Sequence, residues 1–405
     1  MNIEIRACRD DLELKEYGRI VSYVFASTEG MDQELASTQP DWTTCGFVDG
    51  RMAATMGTFP FTVRLNGAPV KMGGVTAVGT LPEYRRRGLL RRIMTQGFRE
   101  MRERQQPFAI LWASMGAIYQ RFGYGLASTG VSYEFDPRYV AFESGPEPSG
   151  KVSLMSREDA WPIIKQLYIE WATPRNLHIH RAVPLWDADV FQPRKKDEPV
   201  YIGVYRDGDG QARGYVVYRT WPGEGVLYGP GQHMDVTDLV YLDIDAYRGL
   251  WSYLRGHDLV GRVHMRGVVG EEDPAPDLLI EPRMLDRRTS DAIWMRVVDV
   301  ETALASRPYG DRGELVVGIP SDPMCEWNEG NWLLETDGTT SAVRRTDRPA
   351  QLAMPVNSLA RLLAGHCTAT HLGRIRKLEA MHARDLRTAD RLFETVYRPF
   401  CPNHF

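Results

Sequence analysis

No CxxC pair occurs anywhere in the 405 residues. The five cysteines, Cys8, Cys45, Cys325, Cys367 and Cys401, are scattered and odd in number, which argues against a disulfide framework and for reduced thiols. No run approaches the roughly 18 apolar residues that a membrane span needs. The charged stretch from Met1 to Leu14 lacks the apolar core of a secretory leader, so a cytoplasmic protein without a membrane span is expected. There is no basic excess either. Lys and Arg total 49 against 53 Asp and Glu, a net charge of −4. That balance speaks against a nucleic-acid partner. It leaves room for a cationic one, because an acidic surface attracts amines.

What remains is an average soluble composition, 43% hydrophobic and 25% charged. At about 100–200 residues per domain, the length predicts two to three domains. A short strand at Ile3–Arg6 and an amphipathic helix open the chain, followed by a polar stretch from Ala26 to Trp42 that reads as a lid. Alternating runs on either side of Asp49-Gly50 predict a hairpin, and Asn66-Gly67 a second turn. Gly74–Thr80 reads as a strand. Leu89, Leu90, Ile93, Met94, Phe98 and Met101 recur at helical spacing across Gly88–Gln105. A strand at Phe108–Ser114, a short helix at Ala117–Phe122 and a strand at Val131–Phe135 close this first unit. The Pro- and Gly-rich stretch Glu143–Ser149 reads as a linker. The middle region then repeats the order hairpin, strand, helix, around Asp207–Gly210 and Asp245–Gly256, which reads as an internal duplication. Boundaries fall near 140 and 293, giving domains 1–140, 141–293 and 294–405.

The most informative stretch is Val78-Gly79-Thr80-Leu81-Pro82-Glu83-Tyr84-Arg85-Arg86-Arg87-Gly88-Leu89-Leu90, between a strand and a helix. Unpaired amides at such a helix start, with the helix dipole behind them, make an anion site. Gly88 lets a ligand approach the backbone closely. Arg85 and Arg86 add charge-assisted bonds suited to a pyrophosphate.

This order resembles the R-x-x-G-x-[GA] loop of the GNAT acetyltransferases, with Leu90 standing where that pattern has a small residue. Together with Ile118-Tyr119-Gln120-Arg121-Phe122-Gly123-Tyr124-Gly125 downstream, it resembles the Eis family of GNAT enzymes more closely. The resemblance implies an α/β (α+β) fold: tandem GNAT-like domains, the second degenerate, then a sterol-carrier-protein-like domain. It implies acetyl-CoA as cosubstrate, and an amine acceptor that is an aminoglycoside-like small molecule or a lysine side chain. Homo-oligomers, hexamers in that family, are implied by analogy. By the same resemblance the backbones of Val78 and Thr80 bind the pantetheine arm. Arg85, Arg86, Gly88 and Leu89 hold the pyrophosphate, and Ser114 touches the cofactor. Tyr119 is the general acid, and the terminal carboxylate of Phe405 is the base or orienting group. The matching place in the middle domain, Ala246-Tyr247-Arg248-Gly249-Leu250-Trp251, lacks the arginine cluster and is expected to bind no cofactor.

Phe25, Glu29, Asp32, Glu34 and Trp42 lie in the lid and are the substrate-side candidates, since carboxylates and aromatics suit a polyamine. His404 is a further candidate, either as a base or as a solvent-facing histidine. Tyr124, between two glycines, reads as a turn or core residue. His178 and His180 alternate without a third ligand, so no metal site is expected. The alternative reading is a lipid-binding carrier with a vestigial transferase domain, its tunnel lined by Trp327, Trp332, Leu333, Leu334 and Leu359; the same residues would serve equally as core.

Overall fold

The structure is a computed structural model that describes residues 2–26, 38–145, 148–195, 197–223 and 229–405. The first strands are β1 (Ile3–Arg6), β2 (Cys45–Val48), β3 (Arg51–Leu65), β4 (Ala68–Thr80), β5 (Phe108–Trp112) and β6 (Gly125–Leu126). Among them lie the helices α1 (Asp11–Phe25), α2 (Leu89–Glu103) and α3 (Gly116–Gln120). The middle stretch holds β7 (Thr129–Phe135), β8 (Lys151–Met155), β9 (Tyr201–Arg206), β10 (Ala212–Pro222), β11 (Gln232–Tyr241), β12 (Val260–Val269) and β13 (Arg288–Asp291), with α4 (Arg157–Ala172) and α5 (Ile244–Arg255). It is followed by β14 (Ile293–Val297), β15 (Gly313–Ile319), β16 (Gly330–Thr336), β17 (Ser341–Arg345), β18 (Leu352–Ala353) and β19 (Glu379–Ala380).

The chain divides into two compact units. One comprises residues 1–128 and 292–399 with Phe405; the other comprises 129–291 with 400–404. In the first, a seven-stranded sheet runs β1-β2-β3-β4-β5-β14-β6. Asp49 and Gly50, and again Asn66 and Gly67, all take positive φ. That is the twist a two-residue hairpin turn needs, which is why these dipeptides end their strands. One face of α2 buries Leu89, Ile93, Met94, Phe98 and Met101 against Ala54, Met56, Val75, Ala109 and Leu111 of the sheet. Tyr17, Ile20 and Val21 of α1 pack with Phe47, Met52 and Ala77. This unit also holds the five-stranded sheet β17-β16-β15-β18-β19. There Trp332, Leu333, Leu334 and Leu359 are buried as core, and the Trp332 indole donates to the Asn328 carbonyl at 2.9 Å.

In the second unit the sheet runs β13-β7-β12-β11-β10-β9-β8. Its order β8-α4-β9-β10-β11-α5-β12 repeats β1-α1-β2-β3-β4-α2-β5, and in both copies the last two strands of the series pair in parallel. The duplication seen in the element order is thus a duplication of topology. The closing strands differ from expectation. Val131–Phe135 does not close the first sheet; as part of β7 it pairs with β12 and β13, and β14 pairs with β5 instead. Its side chains account for this. Val131, Tyr133 and Phe135 are buried in a core with Tyr247, Leu250 and Trp251, and Phe135 stacks on Trp251 at 5.1 Å.

That core encloses a carboxylate. Asp273 accepts from Tyr247 (2.8 Å), Tyr133 (3.0 Å) and the Ala275 amide (3.2 Å). Burial pushes its carboxyl up to about 6, and the three hydrogen bonds hold it from rising further. The folded value lies above the unfolded one of about 3.9, so the folded chain binds more protons between them. The resulting stability is fully present below about pH 4 and is lost as pH rises through 6, by roughly 3 kcal/mol for two pH units. Asp273→Asn keeps an acceptor and cannot titrate. Urea midpoints of the variant are therefore expected to fall less than those of the wild type between pH 4 and 6; parallel pH slopes would assign the effect to another group.

Candidate active site

The first unit's sheet opens where β4 and β5 meet. Their parallel ladder runs from Met72↔Phe108 to Gly74↔Ile110, after which β4 continues to Thr80 and β5 lies beside β14. A bulge sharpens the parting. The β3–β4 register shifts between Thr55 and Gly57, Ala77 takes φ 51°, and the Thr55 hydroxyl holds the Ala77 carbonyl at 2.9 Å. A bulge twists its strand away from the regular ladder. The β4 edge up to Thr80 is therefore available to an extended ligand as a further strand would be.

Beyond Thr80 a short turn, Pro82–Tyr84, leads into α2. Arg86 and Gly88 both take positive φ (62° and 78°) and Gly88 forms the helix N-cap, without a side-chain cap. A Cβ on Gly88 would meet nothing within 4 Å. The space above it is open, and the glycine answers to backbone conformation and access, not to crowding. Arg85, Arg86 and Arg87 are exposed, and the first turn of α2 holds Arg91 and Arg92 but no acidic residue. Cations at the positive end of a helix are unfavourable without an anion between them. Arg85 Nε donates to the Thr80 carbonyl at 3.0 Å, which draws this side chain back to the end of β4. Leu89 is buried in the core, so its contribution to a ligand is its backbone amide.

After β5, Ser114 and Tyr119 come together: the Ser114 side chain hydrogen-bonds the phenol of Tyr119. Burial pushes the Tyr119 phenol up from its ordinary value, and the bond with Ser114 works against the rise. Tyr119 stays protonated at neutral pH, as a proton donor must. Tyr124 is fully buried beside Tyr119 and Phe98, at ring distances of 5.8 and 6.1 Å.

Phe405 packs at the start of the parting. Its ring is edge-on to Phe61 at 4.9 Å, and a Cβ on Gly74 would approach it to 3.3 Å. Phe61 itself lies over Gly74, whose missing side chain makes room for it. Phe61, Phe59 and Trp42 continue as an aromatic row, with centroids 5.8 and 5.9 Å apart. Trp42 is among the substrate-side expectations of the sequence, and the structure sets Phe59 and Phe61 beside it. The signal a sequence offers for them is their period-two spacing on β3, with Phe59 opposite Gly74. Phe25 ends α1 and is exposed, while Glu29, Asp32 and Glu34 lie outside the described residues. His404 is exposed and belongs to the second unit. Among the described residues no cluster of three metal-ligating side chains is present, and no helix is long and apolar enough to cross a membrane.

Comparisons with known proteins agree with this geometry. Residues 4–127 match the family described as acetyltransferase (GNAT) domain, and residues 177–297 match a second family of the same description. Residues 300–402 match a sterol carrier protein domain. An uncharacterized N-acetyltransferase of Streptomyces coelicolor is 31% identical over 88% of this chain and 87% of its own length. The N-acetyltransferase Eis of Mycobacterium tuberculosis is 28% identical over 79% of this chain and 77% of its own. The crystal structure of Eis1 from Mycobacterium abscessus superposes with a TM-score of 0.85 at 25% identity, covering 99% of this chain and 100% of that one. GNAT acetyltransferases take their acetyl group from acetyl-CoA. The open β4 edge and the uncapped, arginine-rich helix start fit the extended arm and the pyrophosphate of that donor. The chain belongs to the Eis-type GNAT N-acetyltransferases, with two acetyltransferase domains followed by a sterol carrier protein domain.

Proposed function

We propose that the first unit transfers acetyl from acetyl-CoA directly to a primary amine of a cationic acceptor, either an aminoglycoside-like small molecule or a lysine side chain. The observation that carries this reading is the parting of β4 and β5 beside an uncapped helix start ringed by arginines. Val78 and Thr80 bind the pantetheine arm through their backbones. Arg85, Arg86 and the amides of Gly88 and Leu89 bind the pyrophosphate. Ser114 orients Tyr119.

The reaction forms an amine N–C bond and breaks the thioester C–S bond. Tyr119 delivers a proton to the departing sulfur. An aliphatic ammonium has a pKa near ~10.4, so the acceptor must lose a proton before it attacks. The α-carboxylate of Phe405, with an ordinary pKa of about 3.3–3.7, is a weak base. Its role is to draw in the ammonium, orient it and pass its proton on. Trp42, Phe59, Phe61 and Phe405 offer ring faces to the rest of a cationic acceptor.

The second unit has the same topology but a different helix start. Asp243 caps α5, accepting from the Ala246 amide at 2.8 Å, and Asp245 stands in the first turn. A carboxylate in the anion's seat repels phosphate, which supports assigning the cofactor to the first unit alone.

A thiol-release assay with acetyl-CoA, run against aminoglycosides, polyamines and lysine peptides, tests the activity and ranks the acceptors; thiol release with none of them would overturn the amine reading. The loop is tested separately. Arg85→Ala with Arg86→Ala is expected to weaken acetyl-CoA binding by about 1.5–3 kcal/mol per lost charged contact, with the fold intact. Unchanged affinity by calorimetry would place the pyrophosphate elsewhere.

A further inference from the structure

The second unit keeps the acetyltransferase topology without the cofactor loop, yet it buries a polar network that a folding remnant does not need. Arg181 and Asp238 form an ion pair with both side chains almost fully buried, at 2.5 and 3.1 Å. Tyr215 donates to Asp238 at 2.6 Å, and the Arg181 guanidinium lies over the rings of Tyr168 (3.9 Å) and Trp186 (4.7 Å). An ion pair this deep is costly to desolvate and is retained where its geometry is used.

The remaining valences of the network go to the chain's tail. Arg181 Nε donates to Asn403 Oδ1 at 3.2 Å, and Asn403 Nδ2 donates to Asp189 at 2.9 Å. Asn403 is fully buried. Asp189 reaches it from Trp186–Val190, a single widened helical turn, the kind of irregularity that re-aims a side chain inward. Two more contacts fix the approach: the Phe400 amide donates to the Asn176 carbonyl at 3.0 Å, and the Phe400 ring packs edge-on to His178 at 5.7 Å.

We propose that this network is a socket whose role is to position the tail, with Asn403 as its key and Arg181 and Asp189 as its walls. The inference rests on the reading of the Phe405 carboxylate as part of the catalytic machinery. An unanchored terminus samples many conformations. A chain fixed through Asn403 leaves only two residues of freedom before that carboxylate. The degenerate domain has exchanged ligand binding for holding a segment of its own chain.

The test uses full-length Asn403→Ala and Asp189→Ala, with Asp189→Asn as the variant that keeps an oxygen acceptor. Both alanine variants are expected to lose about tenfold to a hundredfold in kcat, the scale of a misplaced catalytic group, at unchanged KM for acetyl-CoA. Asp189→Asn is expected to turn over like the wild type. Carboxypeptidase should release the terminal phenylalanine about tenfold faster from the alanine variants, because their tails open locally more often. Circular dichroism and thermal midpoints separate this from unfolding. Wild-type kcat and wild-type release in both alanine variants would overturn the socket, as would an equal loss in Asp189→Asn. Deleting Phe405 tells the two ideas apart. If the deletion keeps wild-type kcat, the carboxylate reading fails, while faster release from Asn403→Ala still establishes the socket.

Discussion

A short extension beyond Phe405 is expected to abolish turnover while leaving acetyl-CoA affinity unchanged. A terminus in solvent tolerates added residues because it is hydrated and mobile. Phe405 is packed instead, edge-on to Phe61 and against the Gly74 backbone, at the point where the β4–β5 ladder ends. An added residue converts the α-carboxylate into a neutral amide. Loss of a positioned proton acceptor costs about 10²–10⁴ in kcat. Deleting Phe405 removes both ring and carboxylate and should be as severe. The arginine loop is untouched in either variant, so calorimetry with acetyl-CoA should give the wild-type affinity. The same tag placed at the amino end serves as the control, with gel filtration and circular dichroism to exclude misfolding. If the extended protein acetylates its best acceptor at the wild-type rate, the terminal carboxylate has no part in the chemistry.

Local chemistry was legible in the sequence; long-range pairing was not. Asp49-Gly50 and Asn66-Gly67 announce their turns because few other residues accept positive φ at both positions. The arginine loop stands out because arginines at a helix start oppose the dipole unless something anionic joins them. Ser114 and Tyr119 were named separately, and the fold adds the hydrogen bond that joins them. In contrast, the alternation of Val131, Tyr133 and Phe135 identifies a strand and its buried face, but nothing in it says which sheet supplies the partner. Phe59 and Phe61 look like ordinary core residues, and only the register shows Gly74 opposite Phe59 and leaving room for the Phe61 ring. The tail network was beyond reach for a simpler reason. Asn403 meets Arg181 from 222 positions away and Asp189 from 214, and single polar residues so far apart carry no local signature.

The two copies of the fold differ by few residues at the same helix start. Both present a helix start after a strand whose ladder to its parallel neighbour ends early. One has Gly88 with arginines around it, and the other has Asp243 with its carboxylate already bonded to the helix and to Arg213 at 2.9 Å. In the second case the protein supplies its own anion. The seat is filled, and the helix is stabilised without a ligand.

Tyr119→Phe should lower kcat about 10²-fold with the KM for acetyl-CoA unchanged, the size of effect expected when a general acid is removed. The substitution deletes one oxygen and keeps the ring, so the packing against Tyr124 at 5.8 Å survives and the fold should not respond. Burial holds the phenol in its protonated form, and the Ser114 side chain hydrogen-bonds it. A thiolate that leaves without a proton must be intrinsically stable. The penalty of Tyr119→Phe should therefore shrink with acetyl thioesters whose thiols are more acidic, which distinguishes proton donation from a general disturbance of the site. Tyr124→Phe is the matched comparison. That hydroxyl is buried without a hydrogen-bond partner among the described residues, so its removal strands nothing and should leave turnover within a few-fold of wild type. Equal turnover by Tyr119→Phe and the wild type, or a penalty indifferent to the acidity of the leaving thiol, would remove Tyr119 from the role of acid.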